Sequence, residues 1–268
     1  MRKDNPLSVE LGGAGLIACS TLRGKKPKNE DYHRIGRIGN WKVLIIADGV
    51  TNSLLGGDAS SIAVNTFYDE IERVHNDLGV LSIQLLRQAY DIAAKRLSEV
   101  ALEKLGKTEG LETTIITIVE MEHSFLISYL GDGRIYLVRG DLEQGIQLMA
   151  THRVGSVLGG ALGAYGLVGE PVCIEHSKSF QSGEVIIAGS DGAFEQEGNA
   201  GSPMIIQVLE RLTRNVPSDD DALNELIGAL LNDWSNQGFL SDDATLGILV
   251  TAKANKVLAS RVYDNSKG

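Results

Sequence analysis

The predicted helices of this chain fall into two blocks, and runs typical of strands occupy the rest of the sequence. Helical signals cover the segments 58–74, 82–102, 204–212 and 222–234, and within 82–102 apolar residues recur every three or four positions. A doubly wound fold would place a helix after each strand, so this order argues against it. We predict an α+β fold in which two mostly antiparallel sheets pack face to face, with a pair of helices outside each sheet.

Short polar turns join several of the strand-like runs. Residues 120–123 separate the runs 113–119 and 124–130, as expected for a hairpin, and Gly131–Gly133 forms a second tight turn. Hairpin turns indicate antiparallel pairing. The further runs that predict strands are 15–19, 41–47, 134–138, 145–149, 185–188 and 245–250.

The composition restricts the classes of function that suit this chain. Its 268 residues carry a formal net charge of −10, which opposes broad binding to nucleic acid. No run approaches eighteen apolar residues, and residues 1–10 lack the apolar centre of a signal peptide. We therefore expect a cytoplasmic protein that contacts no membrane. We predict one domain over residues 1–252 and a loose polar tail over residues 253–268.

Two features that could suggest a metal site are better explained by core packing and by helix capping. Cys19 and Cys173 both lie in apolar, strand-like runs, so we expect buried thiols, and the Cys and His spacings of a zinc site are absent. The acidic run 219–221 precedes the last predicted helix of the second block. We interpret it as an N-cap with favourable charge at the helix dipole.

Four other acidic positions share one feature, because each lies where an apolar run begins or ends. They are Asp31, Asp48, Asp191 and Asp242. If these strands lie in adjacent sheets, their ends can bring the carboxylates to one rim, where cations would relieve the repulsion. Oxygen ligands suit Mg²⁺ or Mn²⁺, and two such ions can acidify a water and neutralise a phosphoryl group. Alternatively, each site by itself is a structural turn, since Asp-Gly is a common turn pair.

The whole ordered set of motifs resembles the metal-dependent serine/threonine protein phosphatases, the type 2C or PPM family, in its bacterial form. The matching segments run from Asn29 to Val250 in the family's order: KNEDYH, IIADGV, GGDAS, ETTII, GDGRIYLV, GALG, AGSDGAFE and DDATLGILV. The resemblance implies a four-layer α-β-β-α sandwich with two Mn²⁺ or Mg²⁺ ions between the sheets. It also implies a signalling hydrolase in which a water bridging the ions attacks phosphoserine or phosphothreonine on proteins, opposing a cognate kinase.

The resemblance assigns metal ligands position by position. Asp48 would bridge the two ions, and the Gly49 carbonyl and Glu30 would serve one of them. Asp191 and Asp242 would hold the other. The family aspartate lies three residues before the threonine of DDATLG, which selects Asp242.

Two further acidic residues have roles that the resemblance leaves open. Asp31 matches a position that hydrogen-bonds or ligates at the same centre. Asp132 matches a residue that many bacterial members use for a weaker third ion, whose usual partner position holds Glu195 here. A third ion is therefore an open expectation.

The sequence departs from the family pattern at three places. Lys26 stands where an arginine usually grips the substrate phosphate, and an ammonium lacks the planar fork, so we expect weaker phosphate affinity or a changed substrate, with Arg23 as a substitute. Val50 replaces a histidine that donates a proton in animal members, and His33 is a candidate to assist. The inserted flap is nearly missing between residues 151 and 163.

We predict an active enzyme in which Asp48, Asp191 and Lys26 act in catalysis. Two alternatives remain. The first is a silent family member that binds phosphoproteins, which Lys26 and the missing flap favour. The second is a phosphatase of a small phosphorylated metabolite, which an open cleft would admit.

Overall fold

Two five-stranded antiparallel sheets pack face to face in the computed structural model, which describes residues 15–139, 145–154, 157–178, 183–194 and 203–265. The first sheet has the strand order β1 (Leu16–Leu22), β15 (Ala244–Val250), β14 (Glu184–Gly189), β7 (Arg134–Arg139) and β8 (Gly145–Gln147). The second has the order β13 (Val172–Ser177), β6 (Ser124–Leu130), β5 (Ile115–Glu120), β3 (Trp41–Asp48) and β2 (Asp31–Ile38).

The helices cover the outer faces of the sheets. Those on the second sheet are α1 (Gly56–Leu78) and α2 (Ile83–Leu105), and those on the first are α3 (Pro203–Arg214), α4 (Asp220–Asn236) and α5 (Ala252–Asn265). The predicted α-β-β-α sandwich is therefore confirmed. Among the described residues, none of the helices is both long and apolar enough to cross a bilayer.

Strand β3 shows why both faces of a sheet are buried. Val43 and Ile45 pack toward α1 and α2, whereas Leu44 and Ile46 point into the core between the sheets. Successive side chains of a strand point to opposite faces, so a continuous apolar run such as this one suits a strand covered on both sides. The sheets approach closely, since a Cβ at Gly247 would lie 2.7 Å from Leu44 Cδ1.

The starts of α2 and α4 follow the expected capping chemistry. The Asp219 side chain accepts a hydrogen bond of 2.8 Å from the Ala222 amide, so the predicted N-cap of α4 is confirmed. Ser82 caps α2 by accepting from the Leu85 amide at 3.3 Å.

The C-terminal segment corrects one expectation. Residues 253–265, which we expected to be part of a loose polar tail, lie in α5. Its start is capped by Thr251, which accepts from the Ala254 amide, and Ala254 and Leu258 are buried against the first sheet. Apolar residues four apart give this polar helix one face that can pack. The cysteine prediction is confirmed for Cys19, which is buried, and is wrong for Cys173, which is half-buried.

The segment predicted to lack a flap folds into short strands. The strands β9 (Arg153–Val154) and β10 (Val157–Leu158) pair with each other. The strands β11 (Ala161–Gly163) and β12 (Gly166–Val168) form a hairpin, and β11 also pairs with β4 (Glu112–Thr113). These strands lie beside the rim where β3 ends.

Candidate metal centre

The ends of four strands bring four carboxylates to one cleft. Asp48 ends β3 of the second sheet, whereas Asp132, Asp191 and Asp242 lie next to strands β7, β14 and β15 of the first. All four line a cleft of about 560 Å³. Of the four acidic residues that the sequence places at strand ends, Asp48, Asp191 and Asp242 line this cleft and Asp31 does not.

Glycine follows three of these aspartates, and at Gly49 and Gly192 the backbone is too crowded for a side chain. A Cβ at Gly49 would lie 2.3 Å from the Gly56 carbonyl carbon, and one at Gly192 would lie 2.0 Å from the Asp243 carbonyl oxygen. Both contacts are with backbone, which cannot move aside as a side chain can. The Asp-Gly pairs are therefore required by close packing around the cleft, and not only by a turn.

Asp31 lies beneath Asp48, its register partner on the neighbouring strand. Its Oδ2 accepts hydrogen bonds of 2.7 Å from the hydroxyls of both Ser190 and Thr245. Asp31 is 6% exposed and does not line the cleft. This placement fits a hydrogen-bonding role beside Asp48.

Burial makes the ionised form of these carboxylates costly. Burial raises the pKa of Asp31 to about 6, against the opposing effect of the two hydroxyl hydrogen bonds. Burial also raises the pKa of Asp48 well above its usual range, and the charges of Asp31 and Asp191 add to this. The pKa of Asp191 is raised by burial and then by Asp132. Opposite charge would remove this penalty.

The position of Lys26 differs from that of a free loop residue. Its Nζ lies 2.8 Å from Asp242 Oδ1 and 3.2 Å from Glu30 Oε2, and it donates to Thr51 Oγ1 at 3.1 Å. Burial alone would lower the pKa of Lys26, but the hydrogen bond and charge of Asp242 outweigh it and raise that pKa. The predicted ligands Glu30 and Asp242 are thus brought together around one ammonium.

Sequence reasoning missed Arg153, which lines the same cleft. Its guanidinium contacts Asp132 Oδ2 through Nε at 2.7 Å and through Nη2 at 2.6 Å, and Nη2 lies 3.1 Å from Asp191 Oδ2. The only signal in the sequence is a basic residue directly after Thr151-His152, in the segment that replaces the flap.

The structure separates the roles of the adjacent Asp242 and Asp243. Asp242 lines the cleft. Asp243 is 1% exposed and accepts 2.8 Å hydrogen bonds from the amides of Gly24 and Glu30. It therefore fixes the loop that carries Lys26, and the choice of Asp242 as the candidate ligand agrees with this placement.

Two secondary candidates do not join the cleft, and one lies outside the described residues. His33 lines a separate cleft with Cys19 and Arg37, and burial lowers its pKa. Arg23 donates to the Pro27 carbonyl at 3.1 Å on the exposed side of its loop. Glu195 lies outside the described residues.

The donor set fits hard divalent cations. Asp31 Oδ1 and Asp191 Oδ1 are buried oxygens without a hydrogen-bond donor, and carboxylate and carbonyl oxygens suit Mg²⁺ and Mn²⁺. Among the described residues, no three acidic, histidine or cysteine side chains converge closely enough to hold an ion by themselves. Lys26 contacts Glu30 and Asp242, and Arg153 contacts Asp132 and Asp191, so the protein's own cations offset part of this charge.

The pKa of Asp31 leads to a prediction for stability. A carboxyl whose pKa rises from 3.8 to about 6 on folding stabilises the fold below pH 3.8, and that contribution is lost as the pH rises through about 6. With a chelator present to keep metal ions away, Asp31 should lower the free energy of unfolding by about 3 kcal/mol as the pH rises from 3.8 to above about 6. Asp31→Asn should remove this part of the fall, as measured by urea unfolding. An unchanged pH dependence in the variant would contradict the assignment.

Comparisons with known proteins match part of this chain in sequence. A family model described as protein phosphatase 2C matches residues 21–157. Protein phosphatase PhpP of Streptococcus pneumoniae is 29% identical over 139 residues, which cover 48% of this chain and 51% of PhpP. The chain thus spans about half the length of the curated relatives it matches.

Solved structures share the fold at low sequence identity. The serine/threonine phosphatase PstP/Ppp of Mycobacterium tuberculosis superposes with a TM-score of 0.67 at 18% identity, covering 88% of this chain and 98% of that one. The catalytic domain of PstP in complex with two manganese ions gives a TM-score of 0.65 at 18% identity, with coverages of 88% and 97%. At this identity the likeness establishes the α-β-β-α architecture.

Proposed function

Because this chain belongs to the protein phosphatase 2C family, we propose that it hydrolyses phosphoserine and phosphothreonine on proteins with two Mn²⁺ or Mg²⁺ ions. The observation that carries the proposal is the cleft itself. Carboxylates from the strand ends of both sheets line it, and Asp191 adds a buried oxygen without a hydrogen-bond donor. Such a cluster is costly to keep unless cations bind there.

The ligands we propose are those that the cleft and its rim bring together. They are Asp48, the Gly49 carbonyl, Glu30, Asp191 and Asp242, with Asp31 positioning Asp48 from below. The PstP catalytic domain, which shares this fold, binds two manganese ions. When bound, such ions supply an acidified water and neutralise charge on the phosphoryl group.

The remaining residues of the cleft would position the substrate. The Lys26 ammonium lies at the rim beside Asp242 and is the cation placed to attract a phosphate as a point charge. Val50 follows the Asp-Gly pair in the cleft wall and carries no proton to give to the leaving alkoxide. Leu158 and Tyr165 form an apolar part of the wall, against which substrate side chains can pack.

The first test is metal-dependent phosphate release. We would incubate an aryl phosphate and a phosphothreonine peptide with the chain in Mn²⁺, in Mg²⁺ and in chelator. Release that requires the divalent ion supports the proposal. Folded protein that releases no phosphate under any condition would overturn it in favour of a silent phosphoprotein-binding member. A panel of phosphorylated metabolites separates protein from small-molecule substrates.

We extend the proposal to the cellular role. A serine/threonine phosphatase requires a kinase that makes its substrates, so we place the chain in a signalling pair with such a kinase in the cytoplasm, where kinases find ATP. Cell fractionation, with phosphoprotein levels compared after deletion, tests this role.

Lys26 gives a prediction for substrate binding. Removing a charge-assisted hydrogen bond of about 1.5–3 kcal/mol should raise the KM of Lys26→Ala for a phosphopeptide by about 10- to 100-fold. Lys26→Arg, which restores the planar fork, should not raise it. Lys28→Ala, on the exposed part of the same loop, is the matched control. Equal kinetics of the Lys26→Ala and Lys28→Ala variants would show that Lys26 does not contact the substrate.

A further inference from the structure

A protein cation holds together the two carboxylates on one side of the cleft. Arg153 donates from Nε to Asp132 Oδ2 at 2.7 Å and from Nη2 to Asp191 Oδ2 at 3.1 Å, and Nη2 also lies 2.6 Å from Asp132 Oδ2. One guanidinium thus bridges Asp132 and Asp191. An arginine is charged at every physiological pH, and its fork suits two acceptors at once.

The bridge is built on a fixed part of the chain. The His152 amide donates to the Gly131 carbonyl at 2.9 Å, and the Gly131 amide donates to His152 Nδ1 at 3.2 Å. A Cβ at Gly160 would lie 2.7 Å from His152 Cβ, so the connection between β10 and β11 also packs against this histidine. The turn that carries Asp132 and the residue that precedes Arg153 are therefore joined directly.

Asp132 needs a counter-ion because it is buried. It is 5% exposed, and its carboxylate lies near that of Asp191, whose pKa it raises. A buried carboxylate beside a second, partly exposed one requires a compensating charge. The arginine supplies that charge, and its N–H groups occupy oxygens that a metal ion would need.

We infer that Arg153 takes the place of a divalent cation at the Asp132–Asp191 pair, so that the cleft binds its ions on the Asp48 side alone. The inference rests on the proposed function. It adds that the number of ions is limited by a residue of the segment that replaces the flap.

Counting bound ions tests the inference without using activity. Equilibrium dialysis with Mn²⁺, and the loss of the free Mn²⁺ paramagnetic resonance signal, measure the ions bound per full-length chain. The unaltered chain should bind two ions. The Arg153→Ala variant should bind a third, weaker ion, and the Arg153→Ala/Asp132→Ala double variant should return to two. The Arg153→Lys variant keeps the charge and should stay at two.

Several outcomes would overturn the inference. Three ions on the unaltered chain would show that a metal displaces the arginine. If the Arg153→Ala variant is folded and binds only two ions, the inference is wrong but the proposed function stands. If no form of the chain binds any ion, both the inference and the proposed function are wrong. If Arg153→Ala does not fold, Arg153→Gln, which keeps the length and hydrogen bonding, should bind the third ion. Arg214→Ala, in an exposed ion pair on α3, is the matched control and should bind two.

Discussion

Asp48→Asn is expected to abolish hydrolysis while the chain keeps its fold. Asp48 ends β3 at the centre of the cleft, where burial and the charges of Asp31 and Asp191 raise its pKa. Asparagine has nearly the same shape but no negative charge to hold a cation. The loss of metal-assisted catalysis is worth several kcal/mol, so kcat/KM should fall by about 10³-fold or more. Mn²⁺ binding should weaken in parallel.

The matched control for this variant lies on the helix that begins beside the cleft. Asp77 is in the last turn of α1, roughly 30 Å along the helix from Gly56, and pairs with Arg73 at 3.1 Å in an exposed position. Asp77→Asn should keep full activity and metal affinity. If Asp48→Asn keeps full activity as well, the cleft is not the site of the reaction.

Gly49→Ala should damage both activity and stability. The added Cβ would lie 2.3 Å from the carbonyl carbon and 2.4 Å from the carbonyl oxygen of Gly56, so the end of β3 and the start of α1 must move apart. Overpacking of this kind costs about 1–3 kcal/mol. A displacement of about 1 Å at Asp48 can lower kcat/KM by about 10²-fold. Urea unfolding and kinetics measure the two effects separately.

A neighbouring glycine provides the control for that clash. A Cβ at Gly57 would meet nothing closer than the Asn29 carbonyl oxygen at 3.5 Å, an ordinary contact. Gly57→Ala should be neutral or stabilise the chain by up to about 1 kcal/mol, because alanine restricts the unfolded chain. If the two variants behave alike, close backbone packing does not explain the Asp-Gly pair.

The acidic residues at strand ends could be predicted because their signal is local. Asp48 and Asp191 each follow a run of apolar residues, and each is followed by glycine. The two sheets then bring them to the same rim, together with Asp132 and Asp242. The periodicity that predicts a strand therefore also predicts where its last side chain lies.

The cations of the cleft could not be predicted in the same way. Lys26 and Asp242 are far apart in the sequence, and Arg153 lies in a segment whose glycines suggested only a turn. Their contacts depend on how the loop 24–30 is tied to Asp243 and on how His152 is tied to Gly131. Helix α5 was missed for a similar reason, since its few apolar residues gain their stability only against the first sheet.

The sequence by itself determined the family, the layered fold and the carboxylates at the strand ends, because these follow from apolar periodicity and from short motifs with fixed neighbours. The tertiary structure alone decided that Asp31 lies beneath Asp48, and that Lys26 and Arg153 offset part of the acidic charge. The physical reason is the difference in how far apart in the sequence the interacting residues lie. Periodicity acts between neighbours along the chain, whereas the charge balance of a buried cluster depends on every group that folding brings within a few ångströms.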